Sequence, residues 1–284
     1  MKMITKRGIF LWVLCALFVC GIAFLTFSLV TDGSTWVMKN YNRHVYSDGQ
    51  LIAAGKIKDK NGVVLSESKD GERVYSDDKD TRLSTLHLVG DTRGFISTGV
   101  QTVFEKQLVG YNVVNGVYNI DKYGAGNDLI LTVDSEINKI AYDALGDKKG
   151  TIAVVNYKTG DIVCMVSKPS YDVNNVPYNI NRFLTGLYTP GSTFKIVTSI
   201  SALQNIGSDV YSRKWQCDKV YDVDGIEEDN IICNARHGKV DFETALAKSC
   251  NITFSQIAIE IGPEKLANTV ESLGLTSSVT VSGQ

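Results

Sequence analysis

The chain has 284 residues, of which 44% are hydrophobic and 21% charged, a composition that fits one or two folded domains and excludes a disordered or low-complexity protein. Lys+Arg 29 against Asp+Glu 31 gives a net charge of -2, so the basic excess of a nucleic-acid-binding protein is missing and nucleic acid is not expected as a partner. The 3 His and 6 Cys form no Cys-x-x-Cys, His-x-x-x-His or His-Glu-x-x-His motif. No zinc site is therefore recognisable, and we expect neither a catalytic metal nor a cofactor.

The first predicted element is a transmembrane helix over residues 9–30, which contain no charged side chain. A helix of this length spans about 30 Å of hydrocarbon. Three basic residues precede it and Asp32 follows, so the positive-inside rule predicts a cytoplasmic tail at residues 1–8 and an extracytoplasmic remainder. A cleaved signal peptide is the main alternative, but its apolar core is usually shorter and ends in a small-x-small site.

Residues 31–123 are broken by glycines into short apolar runs, and only residues 98–108 suggest a helical period. This texture predicts small strands and turns with little helix. The sequence from Asp59 to Leu65 is a hairpin signal in which Asn61 and Gly62 supply two positive-φ turn positions. We expect a spacer or docking module here and not a catalytic core.

From residue 124 the pattern changes to strand, helix and hairpin. Residues 128–133 are strand-like, and Asp134 is suited to cap a helix through Leu145. Two β-branched runs, residues 151–156 and 161–166, then flank a turn. This order predicts an α/β (α+β) architecture.

The segment Tyr188–Lys195 opens an apolar helix that we expect to be buried at a domain centre and to end at Gly207. Ser192 in its first turn and Lys195 one turn later share a face, and the positive end of the helix dipole favours an oxyanion nearby. A lysine acts as a general base only where burial or a neighbouring positive charge disfavours its charged form. The alternative is a helix-capping serine beside a solvated lysine.

Ser-x-x-Lys is weak evidence alone, because residues 66–69 and 76–79 match it in polar sequence that is expected to form loops. A second polar group, Ser249-Cys250-Asn251, follows a helix capped by Asp241 and precedes another helix. There a hydroxyl can pass a proton and an amide can bind a peptide carbonyl or a lysine, although a helix cap is again the simpler alternative.

Together, Pro190–Lys195, His237-Gly238 and Ala247–Asn251 resemble the motifs of the class B penicillin-binding proteins. Residues 55–65 and 160–172 also look like segments of that family. The resemblance implies that Ser192 is the acylated nucleophile, Lys195 its general base, Ser249 a proton relay to the leaving amine and Asn251 a ligand for substrate amides. It implies a peptidoglycan D,D-transpeptidase that cross-links stem peptides ending in D-Ala-D-Ala and is inhibited by β-lactams.

The same resemblance implies a single-pass protein of the bacterial plasma membrane that works with membrane-embedded cell-wall synthesis proteins. Residues 31–123 would be a pedestal or dimerisation-like domain, and residues 124–284 the N-terminal part of the transpeptidase domain. A β-lactam sensor and a non-catalytic scaffold of the cell-wall machinery are the alternatives.

One family motif, Lys-Thr/Ser-Gly after Ser-x-Asn, does not follow Asn251. Lys158-Thr159-Gly160 has these letters but precedes Ser192 and is expected to be a hairpin turn. We therefore expect a chain truncated before that motif, with little covalent penicillin binding and an unstable second domain in these 284 residues alone.

The cysteines allow two states. Cys217 and Cys233 flank an acidic loop, and either a disulfide or two free thiols fits the sequence. Cys164 is expected to be buried in a strand, and Cys250 to lie close to the cleft.

Overall fold

The computed structural model describes residues 2–39, 41–113, 116–117, 126–173 and 180–278. It divides into two compact units, Met1–Leu187 and Tyr188–Gln284. Helices and sheets occur together, which confirms the predicted α/β (α+β) class. The predicted boundary between residues 123 and 124 lies outside the described residues.

The chain begins with α1, Lys2–Val37. The helix includes the predicted span at residues 9–30 and extends beyond it at both ends. Its side chains are exposed along the apolar stretch, for example Leu17 at 66%, Phe18 at 70% and Phe24 at 68%. Residues Arg7–Val37 are long and apolar enough to cross a membrane, and an apolar surface without protein partners is suited to lipid.

The other elements of the first unit are, in chain order, β1 Tyr46–Ser47, β2 Gln50–Leu51, β3 Ile57–Lys58, β4 Val64–Lys69, β5 Glu72–Tyr75, α2 Lys79–Val89, α3 Val100–Val103, α4 Glu105–Val109, β6 Tyr111–Asn112, β7 Gly116–Val117, β8 Leu129–Ile130, α5 Ser135–Ala144, β9 Gly150–Val155, β10 Ile162–Lys168 and α6 Arg182–Thr185. Four strands form one sheet in the order β5-β4-β3-β8, with β8 parallel to β3 and the other pairs antiparallel. The remaining strands pair as hairpins.

The predicted hairpin at Asp59 connects β3 to β4, but its turn is built differently from the expectation. Gly62 has a φ of +85°, whereas Asn61 is not among the positive-φ residues. The Asp59 carboxylate instead accepts hydrogen bonds from the backbone N–H of Asn61 at 2.9 Å and of Val63 at 2.8 Å. An aspartate that bonds the backbone two residues on closes such a turn without a second positive-φ position.

Helix α2 was not predicted. Its N-cap Asp78 accepts hydrogen bonds from the N–H groups of Asp80 and Thr81, but the buried face carries Ser84 and His87 as well as aliphatic residues. A buried face with this many polar residues has no clear apolar period, so the hydrophobic pattern of the sequence does not predict this helix. The period at residues 98–108 corresponds to two short helices, α3 and α4, separated at Phe104.

The predicted helix and hairpin that follow are confirmed. Asp134 caps α5 by accepting from the N–H groups of Glu136 and Ile137, and β9 pairs with β10 in antiparallel register. Residues 157–160 form the turn between these strands, with Gly160 at a φ of +79°. The Lys-Thr-Gly letters at this position therefore belong to a hairpin turn, as predicted.

The second unit contains α7 Phe194–Asn205, β11 Trp215–Cys217, β12 Val220–Tyr221, β13 Ile231–Ile232, β14 Gly238–Val240, α8 Phe242–Ala247, α9 Asn251–Ile261 and α10 Pro263–Ser272. Helix α7 packs against α9 and α10. Strand β11 pairs with β14, and β12 with β13. The core contains Ala202, Trp215, Phe242, Phe254 and Ile257, and it holds the start of α7 beside the loop between α8 and α9.

Candidate active site

The site begins in the tight turn that leads into α7. Residues Gly191–Thr193 form one 3₁₀ turn, so Ser192 lies two residues before the start of the α-helix at Phe194 and not within its first α-helical turn. Gly191 has a φ of +55°, a conformation that glycine adopts at little cost. The turn exposes Ser192 to solvent at the positive end of the α7 dipole.

Lys195 lies one turn further along α7, on the same side as Ser192. Its side chain is buried, with 8% of the residue exposed, and its Nζ donates a hydrogen bond to Ser192 Oγ at 2.9 Å. The predicted contact between these two residues is therefore present.

The loop between α8 and α9 brings the second motif to the same place. Lys195 Nζ lies 3.2 Å from Ser249 Oγ and 2.7 Å from Asn251 Oδ1, and Ser249 Oγ donates to Ser192 Oγ at 2.8 Å. The four predicted site residues thus form one connected hydrogen-bond network. Among the described residues, no carboxylate lies within salt-bridge distance of Lys195 Nζ.

Local backbone geometry fixes the positions of Ser249 and Asn251. Ser249 has a φ of +52°, which is uncommon for a residue with a Cβ and costs about 1 kcal/mol. Asn251 is the first residue of α9 and follows the N-cap Cys250, and its Nδ2 donates to the backbone carbonyl of Ile232 at 3.0 Å. Because the amide nitrogen is bound in this way, the oxygen faces Lys195.

The expectation that α7 is buried at a domain centre holds for one side of the helix only. Lys195, Val197 and Ala202 are buried, whereas Ile196 is 58% and Leu203 41% exposed. Residues seven apart lie on one face of a helix, so the two exposed residues mark a face that the described part of the chain leaves open to solvent.

The other two Ser-x-x-Lys tetrapeptides have structural roles. Ser66 lies in β4, not in the expected loop, and its Oγ donates to the Val74 carbonyl at 3.0 Å. Ser76 Oγ accepts from the N–H of Asp78 at 3.3 Å, before α2. Neither serine has the buried lysine partner that Ser192 has.

A cluster of sulfur and nitrogen groups that was not predicted from the sequence lies next to the site. Cys217, Cys233, His237 and Cys250 place their ligand atoms within 4.8 Å of one another, and the cysteines are free thiols. Of the two states considered for Cys217 and Cys233, the structure thus has the unpaired one. The signal in the sequence is faint, because the gaps between the four residues fit no common motif, although Cys233 and His237 are four residues apart.

Comparison with known proteins gives a consistent result. Residues 150–283 match the family model described as the penicillin binding protein transpeptidase domain. Penicillin-binding protein 3 of Bacillus subtilis is 28% identical over 86% of this chain and 44% of its own length, and the peptidoglycan D,D-transpeptidase FtsI of Escherichia coli is 27% identical over 67% of this chain and 36% of its own length. A structure of penicillin-binding protein A from Mycobacterium tuberculosis, as a ceftriaxone acyl-enzyme complex, has a TM-score of 0.66 and 22% identity, and covers 83% of this chain and 59% of that one.

Residues 150–283 therefore match the penicillin-binding family that the motifs predicted, and the named relatives agree with that resemblance. The chain spans about half or less of the length of these curated relatives.

Proposed function

We propose that this protein is a peptidoglycan D,D-transpeptidase that works through an acyl-enzyme on Ser192. The observation that carries the proposal is the direct contact between Lys195 Nζ and Ser192 Oγ at 2.9 Å, with Lys195 buried. Activation of a serine needs a base within hydrogen-bond reach whose neutral form is accessible. The names of the relatives, penicillin-binding protein 3 and peptidoglycan D,D-transpeptidase, support the same reaction class.

In the acylation step, neutral Lys195 takes the proton from Ser192 Oγ as the oxygen attacks the carbonyl carbon of the penultimate D-Ala. A bond forms between Oγ and that carbon, and the peptide bond to the terminal D-Ala breaks. The leaving amine needs a proton, and Ser249, which contacts both Ser192 and Lys195, is placed to pass it on. A β-lactam would acylate Ser192 in the same way by opening its ring amide.

In the second step, an amine of a neighbouring stem peptide attacks the carbonyl carbon of the acyl-enzyme, and the bond between that carbon and Ser192 Oγ breaks. The proton that the amine loses passes through Lys195 to Ser192 Oγ. Asn251 holds Lys195 through its oxygen and lies at the exposed rim, where an amide can also bind the substrate backbone. The first turn of α7 would stabilise the negative charge that develops on the substrate carbonyl oxygen.

Helix α1 would cross the bacterial plasma membrane once with the N-terminal tail in the cytoplasm, since the basic residues flank its start. The two compact units would then reach the peptidoglycan, and the partners would be stem peptides and membrane-embedded cell-wall synthesis proteins.

The test is covalent labelling by a fluorescent penicillin. An N-terminally tagged protein is expressed from its own gene, and membranes are labelled and resolved by denaturing electrophoresis. We expect a labelled tagged band that Ser192→Ala abolishes and that Ser208→Ala, a change at an exposed serine in the same unit, leaves intact. The 284-residue chain is labelled in parallel, and little reaction is expected from it alone.

Equal labelling of wild type and Ser192→Ala would refute the role of Ser192. A tagged band that stays unlabelled in wild-type membranes, while other penicillin-binding proteins in the same membranes are labelled, would favour the non-catalytic scaffold.

A further inference from the structure

We propose that Cys217, Cys233, His237 and Cys250 form a structural zinc site. The four residues come from four places in the second unit. Cys217 ends β11, Cys233 follows β13, His237 lies just before β14, and Cys250 is the N-cap of α9. Three thiols and one imidazole are a donor set that zinc takes in closed, tetrahedral sites.

The distances between the ligand atoms agree with one shared ion. His237 Nδ1 lies 3.6 Å from Cys217 Sγ and 3.5 Å from Cys233 Sγ, and the sulfurs of Cys233 and Cys250 are 3.9 Å apart. Zn–S bonds of about 2.3 Å and a Zn–N bond of about 2.1 Å at tetrahedral angles place two sulfurs about 3.8 Å apart and a sulfur and a nitrogen about 3.6 Å apart. The side chains therefore already have the spacing that a zinc ion requires.

Burial and outer contacts fit a metal site as well. The exposed fractions are 0% for Cys217, 1% for Cys233 and 0% for Cys250, and His237 is half-buried. Cys250 Sγ accepts hydrogen bonds from the N–H and the hydroxyl of Thr253 at 3.5 and 3.3 Å. Donors aimed at a sulfur stabilise its thiolate form, and such outer partners orient the ligands of metal centres.

The same positions argue against a disulfide as the main state. A disulfide needs its sulfurs about 2.05 Å apart, whereas Cys233 and Cys250 are separated by 3.9 Å. Pairing any two of the three cysteines would leave the third thiol buried beside the imidazole. One zinc ion uses all four groups at once.

The site has a direct connection to the catalytic network. Cys250 lies between Ser249 and Asn251, and Cys233 follows Ile232, whose carbonyl accepts from Asn251 Nδ2 at 3.0 Å. An ion bound to both cysteines would fix the loop that presents Ser249 and the strand end that orients Asn251. Since four protein groups complete the tetrahedron, no position is left for a reacting water, and the role is structural.

The experiment measures the metal directly. The protein, expressed from its own gene, is purified in detergent without chelators or an affinity metal, and its zinc content is determined by plasma mass spectrometry. We expect one zinc ion per chain, lost in Cys217→Ser and in His237→Ala but retained in Cys164→Ser, a change at a buried cysteine outside the cluster. Exchange with Co²⁺ should give the intense visible bands of a tetrahedral site and a thiolate charge-transfer band.

A second measurement on the wild-type chain covers the case in which the variants do not fold. Cys217, Cys233 and Cys250 should resist alkylation in the zinc-loaded protein and react after chelation, while the reactivity of Cys164 stays the same. Wild-type chain that carries no zinc as purified and takes up none on incubation would overturn the proposal. So would another bound metal in place of zinc, or a disulfide between any two of the three cysteines.

Discussion

Asn251 Oδ1 accepts a hydrogen bond from Lys195 Nζ at 2.7 Å while its Nδ2 donates to the backbone carbonyl of Ile232 at 3.0 Å. The side-chain amide therefore has a defined orientation and offers Lys195 a neutral acceptor. A carboxylate in the same place would favour the charged ammonium. The identity of the residue at this position thus bears on whether Lys195 can take a proton from Ser192.

Asn251→Asp tests this relationship. The added carboxylate should hold Lys195 in its charged form, so penicillin acylation near neutral pH should slow by about tenfold or more, and the pH at which the rate rises should move upwards. Stopped-flow acylation rates across pH measure both effects. Asn251→Gly, which removes the contact without adding charge, is the control. An unchanged pH profile in Asn251→Asp would contradict the account.

Substitutions at Ser249 separate backbone strain from proton transfer. Because its φ is +52°, glycine fits this position better than alanine does, by about 1 kcal/mol. We expect Ser249→Gly to unfold at a higher temperature than Ser249→Ala, while both acylate about a hundredfold more slowly than wild type. Thermal unfolding of these variants measures the backbone strain, and acylation rates on the same samples measure the loss of proton transfer. Retention of full acylation in either variant would exclude the relay.

Asp59 is expected to be a main stabilising residue of the first unit. It is fully buried and accepts from the Ser135 hydroxyl at 2.7 Å as well as from the turn after β3. Burial alone would raise the pKa of its carboxyl, but the hydrogen bonds from Ser135, Val63 and Asn61 outweigh burial and lower the pKa.

Asp59→Ala should therefore destabilise the first unit by roughly 3 kcal/mol, measured by thermal unfolding, whereas Asp143→Asn at an exposed site should change little. Since the pKa is lowered on folding, this contribution is complete above the unfolded pKa of aspartate and is lost as the pH falls through the folded value. An Asp59→Ala protein as stable as wild type would show that the turn and α5 do not depend on the carboxylate.

His87 in α2 is expected to make the first unit sensitive to acid. Its side chain is 4% exposed, and burial, with a smaller effect from Arg182, lowers its pKa to about 4. Below about pH 6.5 the unfolded chain binds a proton at His87 that the folded chain does not bind. The contribution of neutral His87 to the stability of the first unit is therefore fully present above that pH and is lost as the pH falls towards 4. The full loss amounts to roughly 3 kcal/mol.

NMR titration of the histidine rings, assigned with His87→Gln, checks the shift. The His87 resonances should stay constant from about pH 8 to about pH 5.5. A titration midpoint near the ordinary pKa of histidine would contradict the lowered pKa of His87.

The contact between Ser192 and Lys195 could be predicted because it depends on helix geometry and on short, local sequence. Ser192 and Lys195 are three residues apart, and that spacing alone places them on one face. Asp134 and Asp241 marked helix starts for the same local reason, and both cap their helices.

Other features depend on contacts between distant parts of the chain and could not be predicted. Helix α2 packs against α5 through contacts between distant residues, for example the hydrogen bond from Asn138 Nδ2 to the backbone carbonyl of Ser84 at 3.4 Å. The sulfur and nitrogen atoms of Cys217 and His237 meet only because β11 and β14 pair. The exposed side of α7 likewise follows from which elements pack on it, and not from its own apolar pattern.

The most direct test of the central claim is peptide mass spectrometry of the protein, expressed from its own gene, after reaction with a penicillin. We predict an adduct of one penicillin on the peptide that contains Ser192, with fragment ions that place the added mass on that residue. An adduct on another residue, or none on a protein shown to be folded, would contradict the proposed acyl-enzyme.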